Sequence, residues 1–394
     1  MRLFATMALA AVLAPTPTPS VAPGPSVTGA PTVSAPPSPV APSPTPAAPA
    51  SPSPSAIPDP DPVRQAQWYL EFLHMEQVHQ LSRGAGVIVG LIDTGVAAHP
   101  DLAGSVLPGT DFSPLKSDGR TDTFGHGTAM AGVIAGHGRI LGIAPEAKIL
   151  PVRPVFTTDD GGVADSEEPV RWAVDHGATV ISLSIGDDEP NPAWGRAIQY
   201  ALSKDVVVVA AVNNKGQGTH PSGLAMVPGV VVVSGVGKTG KFDPISLVGD
   251  VVTVSAPSRD CWSTRIGGQY SAGSGTSYAT AITAGVVAVI RSRFPDLDGP
   301  GVVRRLTETA HDEGADGRDP LYGFGVIDPL RALTATLPSQ TPSPSEPSSA
   351  SPSAPAQASD PERARPLWML FAVAGGVLAV AVGLVLLGRV RRAS

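Results

Sequence analysis

Two tracts of proline, serine and alanine, residues 15–62 and 337–366, decide where this chain can fold. Neither holds enough large apolar side chains to offset the entropy lost on ordering, so any core must come from residues 63–336 between them. The chain has 43 prolines, and most of them lie in these tracts, which leaves the middle with the composition of one ordinary domain. No internal repeat is visible in it.

Beyond each tract lies an apolar segment of a different kind. Residues 3–14, LFATMALAAVLA, follow the single charge of Arg2. They are too short to cross a bilayer but suit the core of a signal peptide, assigned here to residues 1–14. Its cleavage site stays open, because the small residue Ala14 is followed directly by Pro15. Residues 367–387, LWMLFAVAGGVLAVAVGLVLL, carry no charge, and Arg389, Arg391 and Arg392 follow at once. That pattern predicts a transmembrane helix over 367–388 and a basic tail, 389–394, in the cytoplasm. Everything upstream is then extracellular, and the protein is held at the cell membrane by one span. An extended stalk over 337–366, at about 3.1 Å per residue, would reach up to roughly 90 Å.

The balance of 27 basic against 34 acidic residues, with no basic stripe, excludes a nucleic-acid partner. A single cysteine, Cys261, excludes an intrachain disulfide and a zinc site built on cysteines.

Inside 63–336, short Val/Ile runs alternate with helical patterns. Strands are predicted at 87–92 (VIVGLI), 148–152, 179–185 (TVISLSI), 206–211 (VVVVAA) and 230–234. Helices are predicted at 127–135, 169–176, 193–203, 278–294 and 302–310. The alternation predicts an α/β fold, a mostly parallel sheet between helices. Ligands bind such sheets beyond the carboxyl ends of the strands, so polar residues just after a strand come first. Asp93 closes the first strand in LIDTG, and Asn214 follows VVVVAA in AAVNNKG. His126 opens a helix in FGHGTAMAG, and Ser277 opens another in GSGTSYATAITAG. Each has an ordinary role open to it: turn residue, turn residue, surface histidine and helix cap respectively. Their joint occurrence is what points to a nucleophilic serine with a base, an orienting acid and an oxyanion donor.

In the order Asp, His, Ser, these motifs resemble the subtilisin-like (S8) serine peptidases. The similarity runs over about residues 67–333 and includes IAPEA at 143–147 and YGFGVIDPLRAL at 322–333. The resemblance implies the subtilisin-like three-layer fold and a serine-type endopeptidase that needs no cofactor. It implies Asp93 as orienting carboxylate, His126 as general base and acid, Ser277 as nucleophile and Asn214 as side-chain oxyanion donor. Ser184, Ile185 and Gly186 match the stretch that pairs with an extended protein or peptide substrate, and Ala210, Ala211 and Val212 the opposite wall of the first pocket. Asp187, Asp188 and Glu189 read as a solvated acidic loop rather than a selector of basic side chains. His99 and His220 read as structural, and His137 as solvated.

Four departures from the family pattern stand out. Residues 281–283 are Ala-Ile-Thr where many relatives have Pro-His-Val, and Asn213 replaces a usual glycine. The loop at 136–141, GHGRIL, lacks the insertion with which many relatives hold calcium, so no metal site is expected. The space in which many relatives carry a folded pro-domain is proline-rich here; residues 65–81 read instead as an extended lead-in and first helix, anchored by Trp68 and Phe72. The overall layout is similar to the mycosins, membrane-anchored peptidases of actinobacterial type VII secretion systems, which implies components of that membrane machinery as partners. The single cysteine departs from the disulfides typical of that group. Two other readings remain: a catalytically weak structural subunit that braces a membrane complex, and a free-standing surface peptidase.

Overall fold

The computed structural model describes residues 61–337, apart from 158–162, 165 and 186–189. The signal peptide, nearly all of the first tract, the stalk beyond Leu337, the span and the tail lie outside the described residues. Among the described residues no helix is long and apolar enough to cross a membrane.

Seven strands form one parallel sheet: β1 (Ile88–Ile92), β2 (Thr110–Asp111), β3 (Lys148–Arg153), β4 (Val180–Leu183), β5 (Val207–Ala211), β6 (Val231–Val236) and β7 (Val254–Pro257). Their order is β2-β3-β1-β4-β5-β6-β7, with every ladder parallel. All seven carboxyl ends therefore fall on one edge of the sheet, with β1, β4 and β5 side by side.

Side chains alternate between the two faces, as a strand's two-residue period requires. In β5, Val207 and Val209 join the core beneath α7 (Thr276–Arg293), whereas Val208 and Ala210 join the core beneath α5 (Glu168–Asp175) and α6 (Pro192–Ser203). On the α7 side also lie α3 (Met75–Leu81), α4 (His126–Ala135), α8 (Gly299–Glu308) and α9 (Pro329–Thr334). The result is the three-layer α/β arrangement expected. Helix α7 is buried on every side from Tyr278 to Ile290, which is why its sequence is apolar or small all round. Ala281 and Ile282, at the departures from the family pattern, are core residues of this helix. Gly285 lets it meet Ile143, since a Cβ there would lie 2.6 Å from the isoleucine Cβ.

A hairpin, β8 (Cys261–Arg265) and β9 (Gln269–Gly273), packs on α4. Two hydroxyls fasten it there: Ser263 Oγ donates to the Ala129 carbonyl at 2.6 Å and Thr264 Oγ1 to the Thr128 carbonyl at 2.7 Å. Cys261 is buried in the core, and burial pushes its thiol pKa up, so it is an inert core residue.

The lead-in differs from expectation. It forms three short helices, α1 (Pro62–Gln65), α2 (Trp68–Phe72) and α3. Its anchor is Tyr69, fully buried, with Leu73, Met75 and Val78, whereas Trp68 and Phe72 are only partly covered. Tyrosine tolerates that burial because its hydroxyl is satisfied twice, accepting from Gln67 Nε2 at 2.6 Å and donating to the Trp262 carbonyl at 2.9 Å. Trp68 keeps its ring nearer the surface and donates from Nε1 to the Arg259 carbonyl at 2.9 Å.

Candidate active site

Asp93 is the first residue past β1. Its N–H extends the ladder to the Val152 carbonyl at 3.0 Å, and its side chain is fully buried. The carboxylate accepts the Thr94 N–H at 2.7 Å, and His126 Nδ1 lies 2.8 and 2.9 Å from its two oxygens. Gly127 makes this approach possible: a Cβ there would sit 2.1 Å from the Gly95 carbonyl oxygen and 3.2 Å from Asp93.

A second carboxylate, Asp122, organises the start of α4. It accepts from Thr94 Oγ1, from the N–H groups of Phe124, Gly125 and Thr128, and from Thr128 Oγ1. These bonds satisfy donors that a helix start leaves unpaired, and they fix where His126 stands. The imidazole is about one quarter exposed. Burial is the largest single influence on it and favours the neutral ring, but the charge and hydrogen bond of Asp93, with the charge of Asp122, outweigh it. Arg265 at the end of β8 opposes them more weakly, and the pKa is held above the ordinary histidine value.

Ser277 is the second residue of α7, at the turn where helical N–H groups have no partner within the helix. Ser277 Oγ donates to the Ser184 carbonyl at 3.4 Å, and Ser184 Oγ returns a bond of the same length to the Ser277 carbonyl. Ser184 directly follows β4, so the serine is moored to the strand beside β1. In this arrangement Ser277 Oγ faces Ser184, while Nδ1 of His126 faces Asp93. Catalytic hydrogen bonds commonly tighten around substrate.

Asn214 lies past the next strand, β5. Its Oδ1 accepts from the Thr276 N–H at 2.9 Å and from Thr276 Oγ1 at 3.1 Å, and its Nδ2 donates to Gln217 Oε1 at 2.6 Å. Asn213 holds the positive φ, 103°, that the usual glycine would supply, and its Oδ1 accepts the Asn214 N–H at 2.7 Å. The carboxyl ends of three adjacent strands thus carry Asp93, Ser184 and Asn214. The starts of α4 and α7 bring His126 and Ser277 to them.

Of the residues expected to bind substrate, Ile185 is partly buried against the α6-side core and Gly186, with the acidic loop after it, lies outside the described residues. The side chains of Ala210 and Val212 are buried in the α6-side core, while Ala211 keeps some exposure. His99 is buried and structural: Nδ1 accepts the Asp101 N–H at 3.1 Å and Nε2 faces the Gln269 carbonyl at 3.1 Å. His137 is exposed, with Nε2 facing the Ala103 carbonyl at 3.0 Å, and His220 is exposed. Among the described residues no group of acidic, histidine and cysteine side chains could hold a metal ion. Asp122, Thr276 and Gln217 were not singled out from sequence. The first had a signal, an aspartate shortly before the helix-opening glycine of FGHGT; the other two depend on how distant segments meet.

Comparison with known proteins agrees with the fold. The pattern of the subtilase family, Peptidase S8, matches residues 84–325. Mycosin-4 of Mycobacterium tuberculosis is 34% identical, over 69% of this chain and 70% of its own length. The thermostable alkaline protease of Halalkalibacterium halodurans is 32% identical, over 67% and 73%. Among solved structures, MycP1 without its N-terminal propeptide matches at a TM-score of 0.61 and 29% identity, covering 70% of this chain and 98% of that one. MycP3 protease from the type VII (ESX-3) secretion system matches at 0.60 and 32%, covering 71% and 90%.

Proposed function

The chain belongs to the subtilase family of serine endopeptidases and is related to the mycosins, and from that premise we propose a membrane-anchored extracytoplasmic peptidase working with a type VII secretion system. The observation that carries the catalytic part is the edge of the sheet, where Asp93, Ser184 and Asn214 follow three adjacent strands and the starts of α4 and α7 bring His126 to Asp93 and Ser277 to Ser184.

In this reading Ser277 Oγ attacks the scissile carbonyl while Nε2 of His126 takes its proton. Asp93, bonded at Nδ1, fixes the tautomer and stabilises the imidazolium that forms. The carbonyl oxygen becomes an oxyanion, received by the Ser277 N–H at the start of α7 and by Nδ2 of Asn214. Collapse breaks the C–N bond, and His126 gives its proton to the leaving amine. Water then attacks the acyl-enzyme by the same route in reverse, releasing the acid and restoring the serine. Ser184 to Gly186 on one side and Ala210 to Val212 on the other would hold an extended substrate by adding it as a strand.

Anchoring rests on the sequence of residues 1–14 and 367–394, and the secretion role on the similarity to mycosins. The reading is tested by labelling the full-length protein with a fluorophosphonate probe beside Ser277→Ala. Labelling of the native protein alone is expected; equal labelling of both, or of neither, refutes Ser277 as nucleophile. The last outcome is also what a catalytically silent structural subunit would give.

A further inference from the structure

We propose that Gln217 is a positioning residue for the oxyanion site: its side chain holds the Asn214 amide at the end opposite Thr276. The proposal rests on the reading of Asn214 as an oxyanion donor.

Thr276 settles which way the amide faces. A backbone N–H can only donate, so the atom 2.9 Å from it must be the Asn214 oxygen, and the nitrogen must point the other way. The Thr276 hydroxyl adds a second bond to the same oxygen. On the nitrogen side the partner is Gln217 Oε1, at 2.6 Å.

Gln217 reaches that position through a tight turn. Its N–H donates to the Asn214 carbonyl at 3.1 Å, and Gly216 supplies a φ of +92° in the turn. The turn is fastened from outside as well, because the Lys215 N–H donates to the Ile245 carbonyl at 2.7 Å.

The amide nitrogen carries two hydrogens, and Gln217 takes one. The other remains for a developing oxyanion, on a group held at both of its ends. Donors fixed before the reaction stabilise developing charge without reorganising, which is where such sites draw their effect. Gln217 touches no reacting atom in this scheme and acts through Asn214.

The test measures kinact and KI for the fluorophosphonate probe with the full-length protein, for the native chain, Gln217→Met, Asn214→Ala and the double variant. Methionine keeps the bulk of glutamine and removes its acceptor. Far-UV circular dichroism checks that each variant is folded. Gln217→Met is expected to lower kinact about five-fold, the factor one neutral hydrogen bond is worth, with KI unchanged. In the Asn214→Ala background the same change is expected to have no effect, which a merely structural role would not produce. Equal losses in both backgrounds, an unchanged kinact, or a raised kinact, which would make Gln217 a competitor of the oxyanion, each overturn the proposal. If Asn214→Ala alone leaves kinact at the native value, the oxyanion reading itself falls and takes the proposal with it.

Discussion

At the scale of single residues, the charge state of His126 sets the pH range. The base must be neutral to accept a proton, and its pKa stands above the ordinary value of about 6.5 because Asp93 and Asp122 outweigh burial. Activity is therefore present above that raised pKa and lost as pH falls through it, so the acid limb of kcat/KM should lie above about pH 6.5. Asp93→Asn removes the strongest raising influence and leaves burial in place. Its residual activity should show the limb at lower pH, with a fall in kcat of about 10⁴, the factor the same change costs in the equivalent triad of an unrelated fold. An unmoved limb would show that some other group titrates. Asn213 gives a second prediction. It tolerates φ 103° and accepts the Asn214 N–H, and alanine can do neither well. Asn213→Ala should lose about 1–2 kcal/mol in denaturant unfolding, while Asn213→Gly stays closer to the native protein. Equal stability of the two variants would argue that the backbone angle there carries no strain. Asp93, His126, Asn214 and Ser277 were legible in the sequence because each sits in a short motif beside a strand or helix start. Gln217 was not, because a glutamine in a glycine-rich turn looks like any solvated residue until the side chain it returns to is known.

Among the elements, legibility followed burial. The Val/Ile runs of β1, β3, β4, β5 and β6 announced themselves because both faces of those strands are covered. Two residues of β2 carry no pattern, and β7 reads VSAP, too short and too close to a proline to stand out. The β8–β9 hairpin was missed although Gly267-Gly268, both with positive φ, is a turn signal; β9 is half exposed and reads as loop. That hairpin matters to catalysis because it backs α4. Gly132 sits where they touch, and a Cβ on it would come within 2.2 Å of Thr264 Oγ1 and 2.6 Å of Ser263 Oγ, the hydroxyls that fasten the hairpin. Gly132→Ala must push β8 away and break those buried bonds. A loss of about 2–4 kcal/mol is expected, with a lower kcat/KM as His126 shifts. An alanine variant with the native denaturation midpoint would show that the contact is softer than its distances imply.

For the whole molecule, the division of labour between segments governs what can be tested. The peptidase domain contains the full site, whereas the proposed anchor lies in residues 367–388. Expressed intact, the protein should fractionate with membranes and resist extraction by high salt; a version ending at residue 337 should be released yet still label at Ser277. Release of the intact protein by salt alone would refute the span. The order β3-β1-β4-β5 has a further consequence, which concerns time. Asp93 and Ser277 stand near opposite ends of the domain's sequence, and the strands that seat the site are parallel, each joined to the next by a crossover instead of a hairpin. Contacts of that range form late and slowly. A partly unfolded chain holds every catalytic side chain and no catalyst, because the site exists only once α7 has docked Ser277 against the ends of the strands that carry Asp93 and Asn214.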